Sequence, residues 1–160
     1  MAEEIERKFL PKNDGWRRAV HKSTRYHQGY LRTGTDSGCS VRVRIEGDEA
    51  RLNIKSMTLG ASRAEFEFPI PTMEARALLE MLCARPFIDK VRHFVEHQGH
   101  TWEIDVFEGD NAGLVVAEIE LNNPDETFAR PEWLGEEVTD DPRYYNVNLA
   151  QYPYKDWRKK

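Results

Sequence analysis

Glu4-Ile5-Glu6-Arg7-Lys8-Phe9 changes character at every step. A chain with a period of two is a β-strand, with Glu4, Glu6 and Lys8 on one face and Ile5 and Phe9 on the other. The same period recurs along most of the sequence. Residues 25–32 place Tyr26, Gln28 and Tyr30 on one side. Residues 40–46 oppose Arg42 and Arg44 to Val41, Val43 and Ile45, and residues 50–57 oppose Arg51, Asn53 and Lys55 to Leu52 and Ile54. Residues 62–70 set Glu65 and Glu67 against Phe66 and Phe68, and residues 90–96 set Lys90 and Arg92 against Val91 and Val95. Glu103 and Asp105 oppose Trp102, Ile104 and Val106 in 101–107; Glu118 and Glu120 oppose Ala117, Ile119 and Leu121 in 113–121.

Between these segments lie short turns, Gly47-Asp48, Gln98-Gly99 and Gly109-Asp110-Asn111, which join antiparallel neighbours. A helix is predicted over 72–84, with Thr72 as N-cap and Ala75, Leu78, Leu79 and Leu82 as an apolar stripe that covers the outside of the sheet. A second helix is predicted over 143–150, opened by Asp141 and Pro142. Residues 122–140, with Pro124, Pro131 and Gly135, read as loop or irregular helix. No repeat or linker interrupts the 160 residues, so one domain, 1–160, is expected.

Composition narrows the classes. The chain is 39% hydrophobic and 32% charged, with a net charge of −5, which argues against a general nucleic-acid binder. No apolar run approaches the length of a membrane helix, and the acidic start MAEEIERKFL lacks the apolar region of a secretory signal. Cys39 and Cys83 have no metal-finger spacing and read as reduced, intracellular thiols, which sets the expected compartment as the cytoplasm. His93, His97 and His100 span a strand and its turn, where that spacing does not bring imidazoles to one ion as it does on a helix.

The polar faces are sorted by sign. Glu4 with Glu6, Glu65 with Glu67, Glu103 with Asp105, and Glu118 with Glu120 stand two residues apart; so do Arg42 with Arg44 and Lys90 with Arg92, while Lys8 and Lys55 stand singly. Such neighbours project from one side of a strand, roughly 7 Å apart. Like charges there repel one another, so a purely solvated face has no reason to sort them. If the sheet closes with these faces inward, the lumen must be wet and its ligand charged, because an unpaired ion in a dry interior costs several kcal/mol. A polyphosphate with a divalent metal answers both signs: Arg and Lys take phosphate oxygens, and carboxylates hold the hard cation.

Glu4-x-Glu6-x-Lys8 resembles the E-x-E-x-K signature of the CYTH family, the triphosphate tunnel metalloenzymes. The resemblance continues, in the family's order, through Gln28-Gly29-Tyr30-Leu31, Arg42-Val43-Arg44, Lys55, Glu65-Phe66-Glu67, Lys90-Val91-Arg92 and Glu118-Ile119-Glu120, over about residues 1–121. It implies a mainly β fold, an eight-stranded antiparallel closed barrel forming a charged tunnel with a few flanking helices. It implies Glu4, Glu6, Glu118 and Glu120 as ligands of Mg²⁺ or Mn²⁺. Lys8, Arg42, Arg44, Lys55, Lys90 and Arg92 are implied as the phosphate clamp. Glu65, Glu67 and Asp105 would orient these cations or hold a second metal, and Lys8 and Tyr30 are the catalytic candidates.

The expected reaction is in-line attack of water on a terminal phosphorus of inorganic tripolyphosphate, giving pyrophosphate and phosphate. A thiamine triphosphatase, a class IV adenylate cyclase or a non-catalytic polyphosphate-binding module are the alternatives. The expected partner is a small triphosphate, with neither nucleic acid nor membrane. The aromatic, basic tail 152–160 is expected to strap the barrel, or else to close one mouth with Lys155 near the substrate.

Overall fold

A computed structural model describes residues 2–32, 38–57 and 60–157. The end of the tail, 158–160, lies outside the described residues. Among the described residues nine strands occur: β1 (Ala2–Pro11), β2 (Val20–Tyr30), β3 (Cys39–Glu46), β4 (Glu49–Ser56), β5 (Ser62–Ile70), β6 (Ile88–His97), β7 (His100–Phe107), β8 (Val115–Glu120) and β9 (Leu134–Glu137). Two helices accompany them, α1 (Thr72–Leu82) and α2 (Asn146–Leu149).

Every pairing is antiparallel, and the sheet runs β5-β4-β3-β2-β6-β7-β8-β1 before β1 returns to β5. That contact closes an eight-stranded barrel, as the family resemblance implies. Strand β1 is the seam. Its first half pairs with β5 on one edge (Glu4 opposite Arg63), and its second half pairs with β8 on the other (Glu6 opposite Glu120, Lys8 opposite Glu118). Where β5 leaves, β9 takes over from Phe9 to Pro11.

The β6–β7 hairpin turns on Gln98 and Gly99, both with positive φ (46° and 86°). Such a pair matches the twist of the flanking strands.

One large hydrophobic cluster lies outside the barrel wall. Ile5, Phe9, Val95, Trp102, Ile104, Ala117 and Ile119 point outward and are buried beneath Trp16, Phe128, Trp133 and Leu134. Trp102 meets Phe9, Phe128 and Trp133 edge to face, with centroids 5.6, 5.7 and 5.5 Å apart. Full burial of each such side chain contributes about 1.5–3 kcal/mol.

Helix α1 covers Val43 and Ala50 with Ala75 and Leu79, the outer face expected for it. Gly29 lets the helix approach closely: a Cβ there would stand 3.0 Å from the Leu79 and Phe87 side chains, which would have to shift to admit it.

Three local readings are corrected. Pro71, not Thr72, occupies the N-cap, and Thr72 Oγ1 donates instead to the Asp48 carbonyl at 3.2 Å. The helix stops at Leu82 because Cys83 enters a β-bridge with Leu31. The predicted helix 143–150 divides into a 3₁₀ turn, Pro142–Tyr144, opened by the Asp141 side chain, and the short α2. Of the undecided 122–140 segment, Leu134–Glu137 becomes β9.

No disulfide joins Cys39 and Cys83. Among the described residues no helix is long and apolar enough to cross a membrane.

Candidate active site

The inward faces of the strands enclose a cavity of about 390 Å³. Glu4, Glu6, Lys8, Tyr30, Arg42, Arg44, Lys55, Glu65, Glu67, Lys90, Arg92, Glu118 and Glu120, drawn from seven strands, all line it. Along four adjacent strands the inward face grades in character. On β8 it passes from Glu120 and Glu118 to Val116, on β7 from Glu103 through Asp105 to Phe107, on β6 from Arg92 and Lys90 to Ile88, and on β1 from Glu4 and Glu6 to Lys8. Ile88, Phe107 and Val116 then join Tyr30, Leu114, Leu149 and Trp157 in an apolar cluster across one end of the barrel.

The charges within the cavity are not equally matched. Lys8 Nζ donates to Glu118 Oε1 at 3.0 Å and to Glu6 Oε1 at 3.1 Å. Burial works against its charge, but Glu118 and Glu6 outweigh burial and hold the ammonium above the usual lysine range. Glu118 is buried too, yet Lys8, Arg92 and Lys90 keep it well below the usual carboxylate range. Lys55 Nζ donates to Glu4 Oε1 at 2.8 Å.

Asp105 does not line the cavity. It lies fully buried, taking Lys90 Nζ at 2.7 Å and a two-pronged Arg92 guanidinium at 2.7 and 2.9 Å. Both Asp105 oxygens thus face these two cations. One carboxylate serving two cations leaves them unequal. Arg92 is held above its usual range despite burial, whereas burial, together with Arg92 and Arg44, brings Lys90 down to about 7 against the pull of Asp105.

Arg42, Arg44 and Arg63 make no ion pair with any described residue. Arg44 Nε donates to Gln28 Oε1 at 2.7 Å, and the buried Nε of Arg42 and of Arg63 have no hydrogen-bond partner. Burial, then Arg42 and Arg92, lowers Arg44 to about 10.

Carboxylates are in surplus beside these arginines. Glu120 is pushed up to about 7 by burial and by Glu4, Glu103, Glu6 and Glu65, and Glu6 is raised by burial and Glu118. Yet no three described acidic or histidine side chains already form a cage for an ion. Glu4 and Glu6 are turned toward Lys55 and Lys8. That donor set suits a small hard cation held by one or two carboxylates and completed by ligand phosphates.

Several lining residues escape the sequence reading, Arg63, Tyr145 and Asn146 among them. Arg63 stands one alternation before Glu65, so extending that strand's inward face would have found it. Tyr145 and Asn146 come from the chain beyond the barrel, where no period points to them. The Tyr145 hydroxyl donates to the Thr139 carbonyl at 2.7 Å and accepts from Gly60 N–H at 3.1 Å, while its ring lies 4.3 Å from the Arg63 guanidinium. Asn146 Oδ1 accepts from Lys90 Nζ at 2.9 Å and Gln28 Nε2 at 3.3 Å.

Lys155 is elsewhere, 3.3 Å from Asp110 on the exterior. Trp157 straps the barrel end as the blander expectation had it. His93 and His100 pair with Ser23 and Glu126.

The CYTH domain model matches residues 2–147. An inorganic triphosphatase of Acetivibrio thermocellus is 45% identical over 159 residues, spanning 99% of this chain and 100% of that protein. An inorganic triphosphatase of Nitrosomonas europaea is 39% identical over 152 residues, 92% and 96% of the two chains. The crystal structure of the inorganic triphosphatase NE1496 superposes with a TM-score of 0.66 at 35% identity, covering 94% of this chain and 95% of that one.

Proposed function

Because this chain belongs to the CYTH domain family, we propose that it is an inorganic triphosphatase, hydrolysing tripolyphosphate to pyrophosphate and phosphate. One observation carries the reading. Three arginines that pair with no described carboxylate share a single cavity with a carboxylate group crowded enough to lift Glu120 to about 7. Each half lacks what a metal triphosphate supplies: anionic oxygens for the arginines and positive charge for the carboxylates.

Arg42, Arg44, Lys55, Lys90 and Arg92 bind the phosphates, and Arg63 extends their row. Glu4, Glu6 and Glu120, with Glu118 beside them, hold Mg²⁺ or Mn²⁺; the bound ion neutralises phosphate charge and polarises the phosphorus under attack. Asp105 fixes Lys90 and Arg92, while Glu65 and Glu67 accept from Asn53 at 3.4 and 2.7 Å.

Of the two protic candidates, Lys8 is tied to Glu118 and Glu6 as an ammonium, which suits it to phosphate rather than to proton abstraction. Tyr30 reaches the cavity with a hydroxyl that makes no hydrogen bond to a described residue, and it orients the attacking water. Phosphoryl transfer asks little covalent chemistry of a protein, so alignment and charge neutralisation supply most of the barrier reduction. Two undisulfided cysteines favour a reducing compartment, and we place the enzyme in the cytoplasm.

Phosphate release from tripolyphosphate, thiamine triphosphate and ATP, each with and without Mg²⁺ and with cyclic AMP assayed from ATP, tests the proposal. Tripolyphosphate should be the fastest substrate and should need the metal. Faster formation of cyclic AMP from ATP, or full activity in EDTA, would overturn it.

A further inference from the structure

Tyr26 lies on the inward face of β2, and no chemistry so far has used it. Its ring is 4% exposed and borders the cavity. Three cations gather on that ring: the Arg44 guanidinium carbon at 4.4 Å from the centroid, that of Arg92 at 4.9 Å, and the Lys90 ammonium at 5.8 Å. Strand register brings them there. Tyr26 is directly opposite Lys90, its neighbour Gln28 is opposite Arg44, and Thr24 is opposite Arg92.

Such a gathering needs explanation. The cations repel one another; Asp105 bonds Lys90 and Arg92, Glu103 and Glu118 lie 3.4 and 3.9 Å from Arg92, and Arg44 pairs with no described carboxylate. A carboxylate in place of the Tyr26 ring would bind all three more strongly, but it would also neutralise them and compete with an incoming phosphate. An aromatic face attracts cations through its quadrupole while carrying no net charge. We infer that Tyr26 is a positioning residue for the triphosphatase reaction, whose ring holds Arg44, Arg92 and Lys90 together as a phosphate clamp without cancelling their charge. The inference rests on the triphosphatase reading of the site, and it makes the ring face, rather than the hydroxyl or the bulk, the working part.

Four variants separate those parts: Tyr26→Phe, Tyr26→Leu, Tyr26→Met, and replacement by 4-cyanophenylalanine, which keeps the ring and withdraws electron density from its face. Binding of inorganic tripolyphosphate is measured calorimetrically in EDTA, so that no metal contributes, and KM and kcat are measured separately with Mg²⁺. The Leu and Met variants should bind about tenfold more weakly, with KM rising by a similar factor and kcat falling less. Phe should restore binding to within about twofold of wild type. The cyano ring should weaken it relative to Phe.

Wild-type binding by the Leu and Met variants would make the ring a space-filler and overturn the inference. Phe as weak as Leu would shift the role to the hydroxyl and overturn it as well. Should the aliphatic variants not fold, the Phe and cyano pair still decides, since equal binding by those two sinks the idea. Wild-type protein that neither binds nor cleaves tripolyphosphate ends the reading of the whole site. Full activity in wild type and all variants ends only the role of Tyr26.

Discussion

Lys8 and Glu118 face each other across the β1–β8 pairing, Nζ to Oε1 3.0 Å, with each residue only 4% exposed. Each makes the other's charge tolerable in a place that would otherwise reject it. Removing one partner leaves a buried ion uncompensated, a loss of about 3–5 kcal/mol. Glu6 remains within 3.1 Å of Lys8, so Glu118→Gln should fall near the lower end of that range. Urea unfolding measures it; unchanged stability would mean that water screens this pair well despite its burial.

Glu6→Gln should abolish turnover while leaving the fold intact, because Glu6 faces Glu120 across the seam and the pair is part of the proposed metal site. Loss of Mg²⁺-dependent phosphate release, with circular dichroism unchanged, is the expected result. Retained activity would remove Glu6 from the site.

Arg44→Ala should raise KM and lower kcat together, since Arg44 forms no ion pair with a described residue and its guanidinium is available to the substrate in ground and transition states alike. Steady-state kinetics on tripolyphosphate reads both constants, and a change in neither would exclude Arg44 from the clamp.

Asp105→Asn should be more damaging than its absence from the cavity suggests. Lys90 and Arg92 would lose their shared carboxylate, leaving two buried cations, and stability should drop by about 3–5 kcal/mol. A variant as stable as wild type in denaturant titration would show that the cations had found other partners.

Glu120 carries a pH prediction. Glu120 is itself exposed at the cavity edge, and its native value, about 7, stands above the ordinary 4.5 because of partial desolvation there and the surrounding carboxylates. A raised carboxyl favours the folded state where it is protonated; that contribution is complete below the unfolded value and is lost as pH rises through the native one. Metal-free Glu120→Gln should therefore melt higher than wild type at pH 8, with the gap shrinking toward pH 5 and closing below about 4.5. Mg²⁺ should narrow the gap, and Mg²⁺ binding to wild type should weaken as pH falls below 7. Equal melting temperatures at pH 8 would contradict the crowding of these carboxylates.

Alternation made most of the barrel legible, because period two states which side chains share a face and sorted charge states that the face is inward. It gave no depth. Asp105 and Glu103 belong to one face, yet only Glu103 reaches the cavity, a difference set by how far the Lys90 and Arg92 side chains fold over Asp105. Arg63 gives little signal of its own, since its strand is acidic from Glu65 onward. Tyr145 and Asn146 had no local signal, since their positions follow from the Thr139 and Gly60 contacts, which are tertiary. Strand β9, four residues long, exists because β5 leaves one edge of β1 open.

The seam strand ties residues 2–11 to residues far downstream in the chain. Phe9 and Pro11 pair with residues near 135, and Ile5 accepts from the amide of Leu121. A nascent chain emerging from the ribosome cannot shut the ring early, however well its central hairpins form, and contacts of such long sequence separation slow folding. Until synthesis passes Glu137, the edge of β1 that β9 covers stays open to other chains.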